Sequence, residues 1–147
     1  MKTKRKIDLL ILHCAATPES KHFTVEQIDK WHKQRGWSGI GYHFVIYLDG
    51  SVHKGRSIDK IGAHTIGKNT NSIGVCYIGG CNADMRAKDT RTPEQIEARK
   101  QLCIEAIKEY PSIKIAGHND FANKACPSFD VGKWLESIQI PKENIYL

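Results

Sequence analysis

Three side chains able to hold a metal ion stand far apart in this chain. His13 closes an apolar run near the start, and His118 and Cys126 lie in Gly117-His118-Asn119-Asp120-Phe121-Ala122-Asn123-Lys124-Ala125-Cys126-Pro127-Ser128-Phe129-Asp130. Two imidazoles and a thiolate suit zinc better than magnesium or calcium, which prefer oxygen ligands. Structural zinc sites are closed by four protein ligands, whereas catalytic ones commonly keep three and leave a place for water, so this set points to chemistry. Zinc held in that way lowers the pKa of a water to about 7 and polarises a carbonyl. Any one of the seven histidines is equally compatible with a surface or core role, and spacing alone does not bring the three together.

Other residues fit around such a site. Lys124 precedes Cys126 by two, so in an extended loop both side chains point the same way, and the ammonium could stabilise the oxyanion of a tetrahedral intermediate. A solvated lysine is the plainer reading, since the chain has 22 basic residues. Tyr42, between Gly41 and His43, has a phenol that could orient water or donate to an oxyanion, or could simply pack. His64, in Gly62-Ala63-His64, could line a substrate cleft or be an ordinary loop residue. Cys126 and His118 could instead act as nucleophile and base, which leaves His13 without a task. The sequence has no Gly-x-Ser-x-Gly, phosphate loop or dinucleotide fingerprint.

The elements that must position these residues are legible as patterns. Ile7 to Leu12 reads as a strand delivering His13, and Thr17-Pro18 as the turn that closes it. Thr24-Val25-Glu26-Gln27 opens a helix that runs to about Arg35 and stops at Gly36. Residues 41–48 and 51–54 flank Asp49-Gly50 as a hairpin. Residues 61–70 form a loop and 72–80 a buried strand. Thr92-Pro93-Glu94-Gln95 starts a helix ending near Tyr110-Pro111, with Ile96, Leu102, Cys103, Ile104, Ala106 and Ile107 as its apolar residues. Residues 113–116 form a strand that delivers His118, and 131–137 a last helix. The order β-α-β-β-β-α-β-α predicts an α/β fold, a single domain over residues 1–147 with a central mixed sheet flanked by helices and a basic tail at 1–6. Ligands of open α/β sheets gather beyond the C-terminal ends of strands, where both histidines would fall.

Composition excludes little beyond membrane proteins. With 40% apolar and 26% charged residues the 147-residue chain is ordinary for a globular domain, and no stretch approaches the ~20 apolar residues of a span. The net charge of +6 favours a polyanionic partner such as an acidic cell wall through general attraction. No nucleic-acid-binding module accompanies it. The five cysteines have no scaffold spacing and are expected as free thiols. Met1 to Lys6 is basic, but the apolar run after it is too short for a signal peptide. Synthesis in the cytoplasm is therefore expected, with action on a wall only after release, as a monomer.

The chain resembles the zinc-dependent N-acetylmuramoyl-L-alanine amidases of the phage-lysozyme type, which are related to the peptidoglycan recognition proteins. The resemblance runs nearly full length through Leu12-His13-Cys14-Ala15-Ala16-Thr17, Trp31-His32-Lys33-Gln34-Arg35-Gly36-Trp37, Gly41-Tyr42-His43-Phe44, Asn71-Ser72-Ile73-Gly74-Val75-Cys76 and Lys124-Ala125-Cys126-Pro127-Ser128-Phe129-Asp130. It implies one zinc ion on His13, His118 and Cys126, Tyr42 and Lys124 as the catalytic pair, and His64 and Asn71 beside the substrate. The implied reaction is hydrolysis of the amide between N-acetylmuramic acid and the L-alanine of the peptidoglycan stem, as in an endolysin. Relatives that only bind peptidoglycan commonly lack the metal-binding cysteine, so Cys126 favours an enzyme. The rival implied by the same resemblance is a non-catalytic module that binds peptidoglycan or a protein such as RNA polymerase, which phage relatives can inhibit.

Overall fold

The computed structural model describes residues 1–146, so Leu147 of the expected domain lies outside the described residues. In chain order the elements are β1 (Leu9–Cys14), β2 (Thr17–Pro18), α1 (Val25–Gln34), β3 (Phe44–Ile46), β4 (Val52–Lys54), β5 (Ser72–Tyr77), β6 (Gly80–Cys81), α2 (Pro93–Glu109), β7 (Lys114–Gly117) and α3 (Val131–Ser137). Short 3-10 turns occupy His118–Asp120 and Lys142–Asn144. The main sheet has the order β4-β3-β5-β1-β7 and is mixed: only β3 with β4 is antiparallel. The α/β expectation holds.

β1 and β5 are interior strands of the sheet, and each is nearly continuous in apolar or small residues, as parallel strands covered on both faces must be. Their side chains alternate between faces. Leu10, Leu12, Cys14, Ile73, Val75 and Tyr77 join α2 and α3 in the larger apolar cluster. A smaller cluster, Ile28, Ile40, Val45 and Ile78, includes a residue of α1.

Both long helices begin as their sequences predict. Thr24 Oγ1 accepts from Gln27 N (3.3 Å) while Gln27 Oε1 accepts from Thr24 N (2.8 Å). Thr92 and Gln95 repeat the exchange, with Pro93 in the first turn, where a missing N–H costs nothing. Gly36, just past the end of α1, has φ +87°, the left-handed conformation that glycine adopts without a Cβ penalty.

Several expectations need correction. Thr17-Pro18 is not merely a turn but pairs with Gly80–Cys81 as a two-residue parallel ribbon, where Gly79 N donates to Thr17 Oγ1 (2.9 Å). The hairpin strands are shorter than 41–48 and 51–54, because residues before Phe44 follow a separate path. The segment 1–6 is no free tail: Arg5 donates to the carbonyl oxygens of Ile58, Asn69, Thr70 and Ser72 at 2.9 to 3.2 Å. The buried stripe of α2 is Gln95, Arg99, Leu102, Cys103 and Ala106, a stripe that includes a polar and a charged residue, whereas Ile96, Ile104 and Ile107 of the apolar pattern are only partly buried. No helix among the described residues is long and apolar enough to cross a membrane.

Candidate metal centre and cleft

β1 and β7 are parallel neighbours with Leu12 opposite Gly117. The residue after each is a histidine, His13 still on β1 and His118 opening the 3-10 turn after β7, and the two rings lie 4.7 Å apart between centres. The loop after the 3-10 turn returns the thiol, placing Cys126 Sγ 3.7 Å from His13 Nδ1. The ligand atoms of His13, His118 and Cys126 all lie within 4.8 Å of one another. Zinc bonds to nitrogen and sulfur at about 2.0–2.3 Å, so small side-chain movements close the set around one ion. Tyr77 Oη donating to Pro127 O (2.8 Å) and Ser128 Oγ donating to Gly80 O (2.9 Å) fasten the loop that carries the thiol.

The other nitrogen of His13 is already engaged. His13 Nε2 lies 2.8 Å from His64 Nδ1, and His64 Nε2 lies 3.2 Å from Ser72 Oγ. His64 is held in turn by Asn69 Oδ1, which accepts from His64 N and Thr65 N at 2.9 Å each. Gly74 makes room for this ring, since a Cβ there would come 2.7 Å from His64 Cδ2. A partner on the far nitrogen fixes ring orientation and tautomer of a metal-binding histidine, and here it leaves Nδ1 to face the thiol.

Electrostatics favours the neutral form of the two imidazoles. Burial, then His64, depresses His13 well below the usual imidazole range, and burial followed by Lys124 lowers His118. Burial takes His64 down to about 3. Neutral imidazoles are what a metal requires. The thiols of Cys14 and Cys126 are neighbours: the hydrogen bond from Cys126 lowers Cys14 to about 7, and its counterpart raises Cys126. Without an ion, this exchange favours the thiolate on Cys14 and the thiol on Cys126. Cys126 Sγ also accepts the Cys14 backbone N–H (3.2 Å), a bond that supports a thiolate there.

Tyr42 lies beside the three candidate ligands, its ring centre 5.1 Å from that of His13. Burial, then Cys76, pushes its phenol well above the ordinary value, so it stays an O–H donor. His32 Nδ1 accepts from Gly41 N (2.9 Å) and Arg56 N donates to Tyr42 O (2.8 Å), which fixes this backbone. Lys124 is exposed at the rim, where two hollows of about 340 and 200 Å³ share Arg35, His118 and Lys124. Trp37, Ile66 and Phe121 line the larger one, and Tyr42 and Trp31 the smaller. A bigger hollow of about 800 Å³ lies elsewhere, between Phe44, Val52, Ile58 and Leu102, and contains none of the three ligands.

His13, His118, Cys126, Tyr42 and Lys124 are thus brought together. His64 touches the cleft wall, but its nitrogens face His13, Thr65 and Ser72 and are not free for a substrate. Asn71 is not brought to the cleft. It precedes the first residue of β5, whereas His13 pairs with Cys76 near that strand's other end, and its Nδ2 donates to Asp8 Oδ2 (3.3 Å). Arg35, Ser72 and the Cys14 amide were not anticipated; all three sit inside the quoted motifs, but nothing in their spacing distinguishes them from scaffold.

Comparison with known proteins bears on the family and the fold. Residues 3–129 match the family model described as N-acetylmuramoyl-L-alanine amidase. The endolysin of Klebsiella phage KP32 is 40% identical over 139 residues, 94% of this chain and 92% of that protein. The endolysin of Escherichia phage T7 is 37% identical, covering 95% and 92%. Among solved structures, N-acetylmuramoyl-L-alanine amidase LysC from Clostridium intestinale URNW is similar with a TM-score of 0.79 and 28% identity, over 93% of this chain and 88% of that one.

Proposed function

The chain belongs to the N-acetylmuramoyl-L-alanine amidase family, and from that premise we propose that it is a zinc-dependent endolysin that hydrolyses the amide joining N-acetylmuramic acid to the L-alanine of the peptidoglycan stem. The observation that carries the zinc reading is the convergence of His13, His118 and Cys126 beside Tyr42 and Lys124 at one cleft. Zinc held by these three supplies Lewis acidity toward a carbonyl and acidifies water.

The remaining work falls to the protein. His64 holds the His13 ring with Nδ1 outward, and the Cys14 amide holds the thiolate. In the reaction a water oxygen bonds to the lactyl carbonyl carbon, the C–N bond breaks, and the L-alanine amine leaves with a proton. Lys124, at the rim between the two hollows, places its ammonium where the carbonyl oxygen becomes negative. Tyr42, held protonated by burial, donates a hydrogen bond to the attacking water or to that oxyanion. The hollows on either side of Lys124 receive the two sides of the scissile bond, with Trp37 and Phe121 as apolar walls and the basic surface drawing the protein to an anionic wall.

Mass analysis of products from defined muropeptides, together with metal content of the same preparation, tests this reading. One zinc per chain and release of intact stem peptides are expected, with loss of activity after chelation. Full activity after stringent zinc removal would falsify the metal assignment. Lys124→Ala should keep its zinc while kcat falls by about 10²–10³-fold, the usual cost of one oxyanion donor.

A further inference from the structure

Helix α2 buries one charged side chain against the sheet. Arg99 has no exposed surface and, among the described residues, no salt-bridge partner. Its Nη2 donates to the His13 carbonyl oxygen at 2.8 Å, whereas Nε and Nη1 have no hydrogen-bond partner. Its guanidinium carbon lies 4.7 Å from the ring centre of Tyr77 and 5.8 Å from that of Phe129. Tyr77 donates to Pro127 O, and Phe129 is also covered by Arg91 at 3.4 Å. One buried cation therefore bonds the backbone of the first metal ligand and lies against Tyr77, which holds Pro127, and against Phe129 of the same segment after the third.

Desolvating a guanidinium without a counter-ion is costly, and an apolar side chain of similar volume serves packing at least as well. What only arginine offers here is a long-reaching donor at the His13 carbonyl combined with a flat cation against two aromatic faces. We propose that Arg99 is a positioning residue for the metal centre: it fixes the end of β1 relative to the loop carrying Cys126, at the expense of the metal-free fold. The inference rests on the zinc reading above and adds a residue that touches neither metal nor substrate.

The test compares full-length wild type with Arg99→Met and Arg99→Lys. Three quantities are read: Tm after metal removal, zinc affinity by competition with a chromophoric chelator, and the visible spectrum of the cobalt(II)-loaded protein. Metal-free Arg99→Met should melt no lower than wild type, while its zinc affinity falls about 10–100-fold, as when an orienting partner of a ligand is lost. Its cobalt bands should shift, and Arg99→Lys should lie between the two. Tyr77→Phe, which removes only the bond to Pro127, should weaken zinc binding in the same direction by less.

A metal-free Arg99→Met that melts below wild type makes the arginine a stabilising core residue and overturns the proposal. Wild-type zinc affinity and an unchanged cobalt spectrum in that variant overturn it as well. A wild-type chain that takes up no zinc instead removes the metal reading itself, and the two failures are told apart by the wild-type control.

Discussion

The two faces of the central strands divide the labour of this molecule. On one face Leu10, Leu12, Ile73, Val75 and Tyr77 pack against α2 and α3 in the larger apolar cluster. On the other, His13, Ser72 and Cys76 alternate with them, and the imidazole of His64 lies over Gly74. Leu12 and His13 are adjacent in sequence, fully or almost fully buried, and opposite in purpose. The apolar face holds through area removed from water, which is non-directional. The polar face holds because its imidazole nitrogens find partners at 2.8 to 3.2 Å, and those partners aim the rings.

Cys126→Ala is the strongest way to break the contrast. It should remove stoichiometric zinc and lower amidase activity by more than the roughly 100-fold that loss of an orienting partner can cost. The metal-free melting temperature should move little, because the half-buried thiol lies at the margin of the larger cluster and Ala removes only one atom there. Leu12→Ala should do the reverse, costing about 2–5 kcal/mol of stability by opening a cavity. Zinc bound per folded molecule should stay at one. If Leu12→Ala releases zinc from protein that is still folded, the two faces are coupled and the division fails.

The contrast is sharpened by His64→Phe, which keeps a ring of similar size over Gly74 but removes the nearer partner of His13 Nε2 (2.8 Å), leaving only Thr65 Oγ1 at 3.3 Å. Zinc affinity should fall about 10–100-fold, read by chelator competition. Unchanged affinity would mean that packing alone orients His13.

The apolar face was far easier to read from sequence than the polar one. Continuous apolar runs announced β1 and β5, and capping boxes announced α1 and α2, since Thr24 and Gln27, or Thr92 and Gln95, are local signals between residues three apart. The ligand histidines were legible for the same reason: each ends an apolar run. Their convergence was not, because it depends on β1 and β7 being neighbours, a pairing between residues about a hundred positions apart. The two-residue ribbon of Thr17-Pro18 and Gly80-Cys81 is too short to carry a period. Asn71 stands next to β5 in sequence yet at the wrong end of it, a distinction that motif matching does not make. Arg99 carried a signal that went unused: a charge at i+4 from Gln95 and i−4 from Cys103, in register with the stripe that faces the sheet.

The smallest effect is graded and separates the histidines that hold the scaffold from those that hold the metal. His43 Nδ1 accepts from Gly74 N (3.0 Å) while Nε2 faces Lys60 O (2.8 Å), an arrangement that requires the neutral ring. Burial lowers its pKa from 6.5 to about 4. His32 is likewise lowered to about 4, chiefly by burial, and its Nδ1 accepts from Gly41 N. Between pH 6.5 and 4 the unfolded chain binds protons that the folded one refuses, so stability falls as pH drops through this window and this contribution levels off below it. For His43 the slope is at most about 1.4 kcal/mol per pH unit. Melting curves of the metal-free protein should show the decline, and His43→Gln, which cannot titrate, should make it shallower, with His13, His32, His64 and His118 supplying the rest. The expected decline leaves the metal-free protein with lower stability at pH 5 than at pH 7 even though no ligand has been lost. An equally steep decline in His43→Gln would assign the sensitivity to other groups.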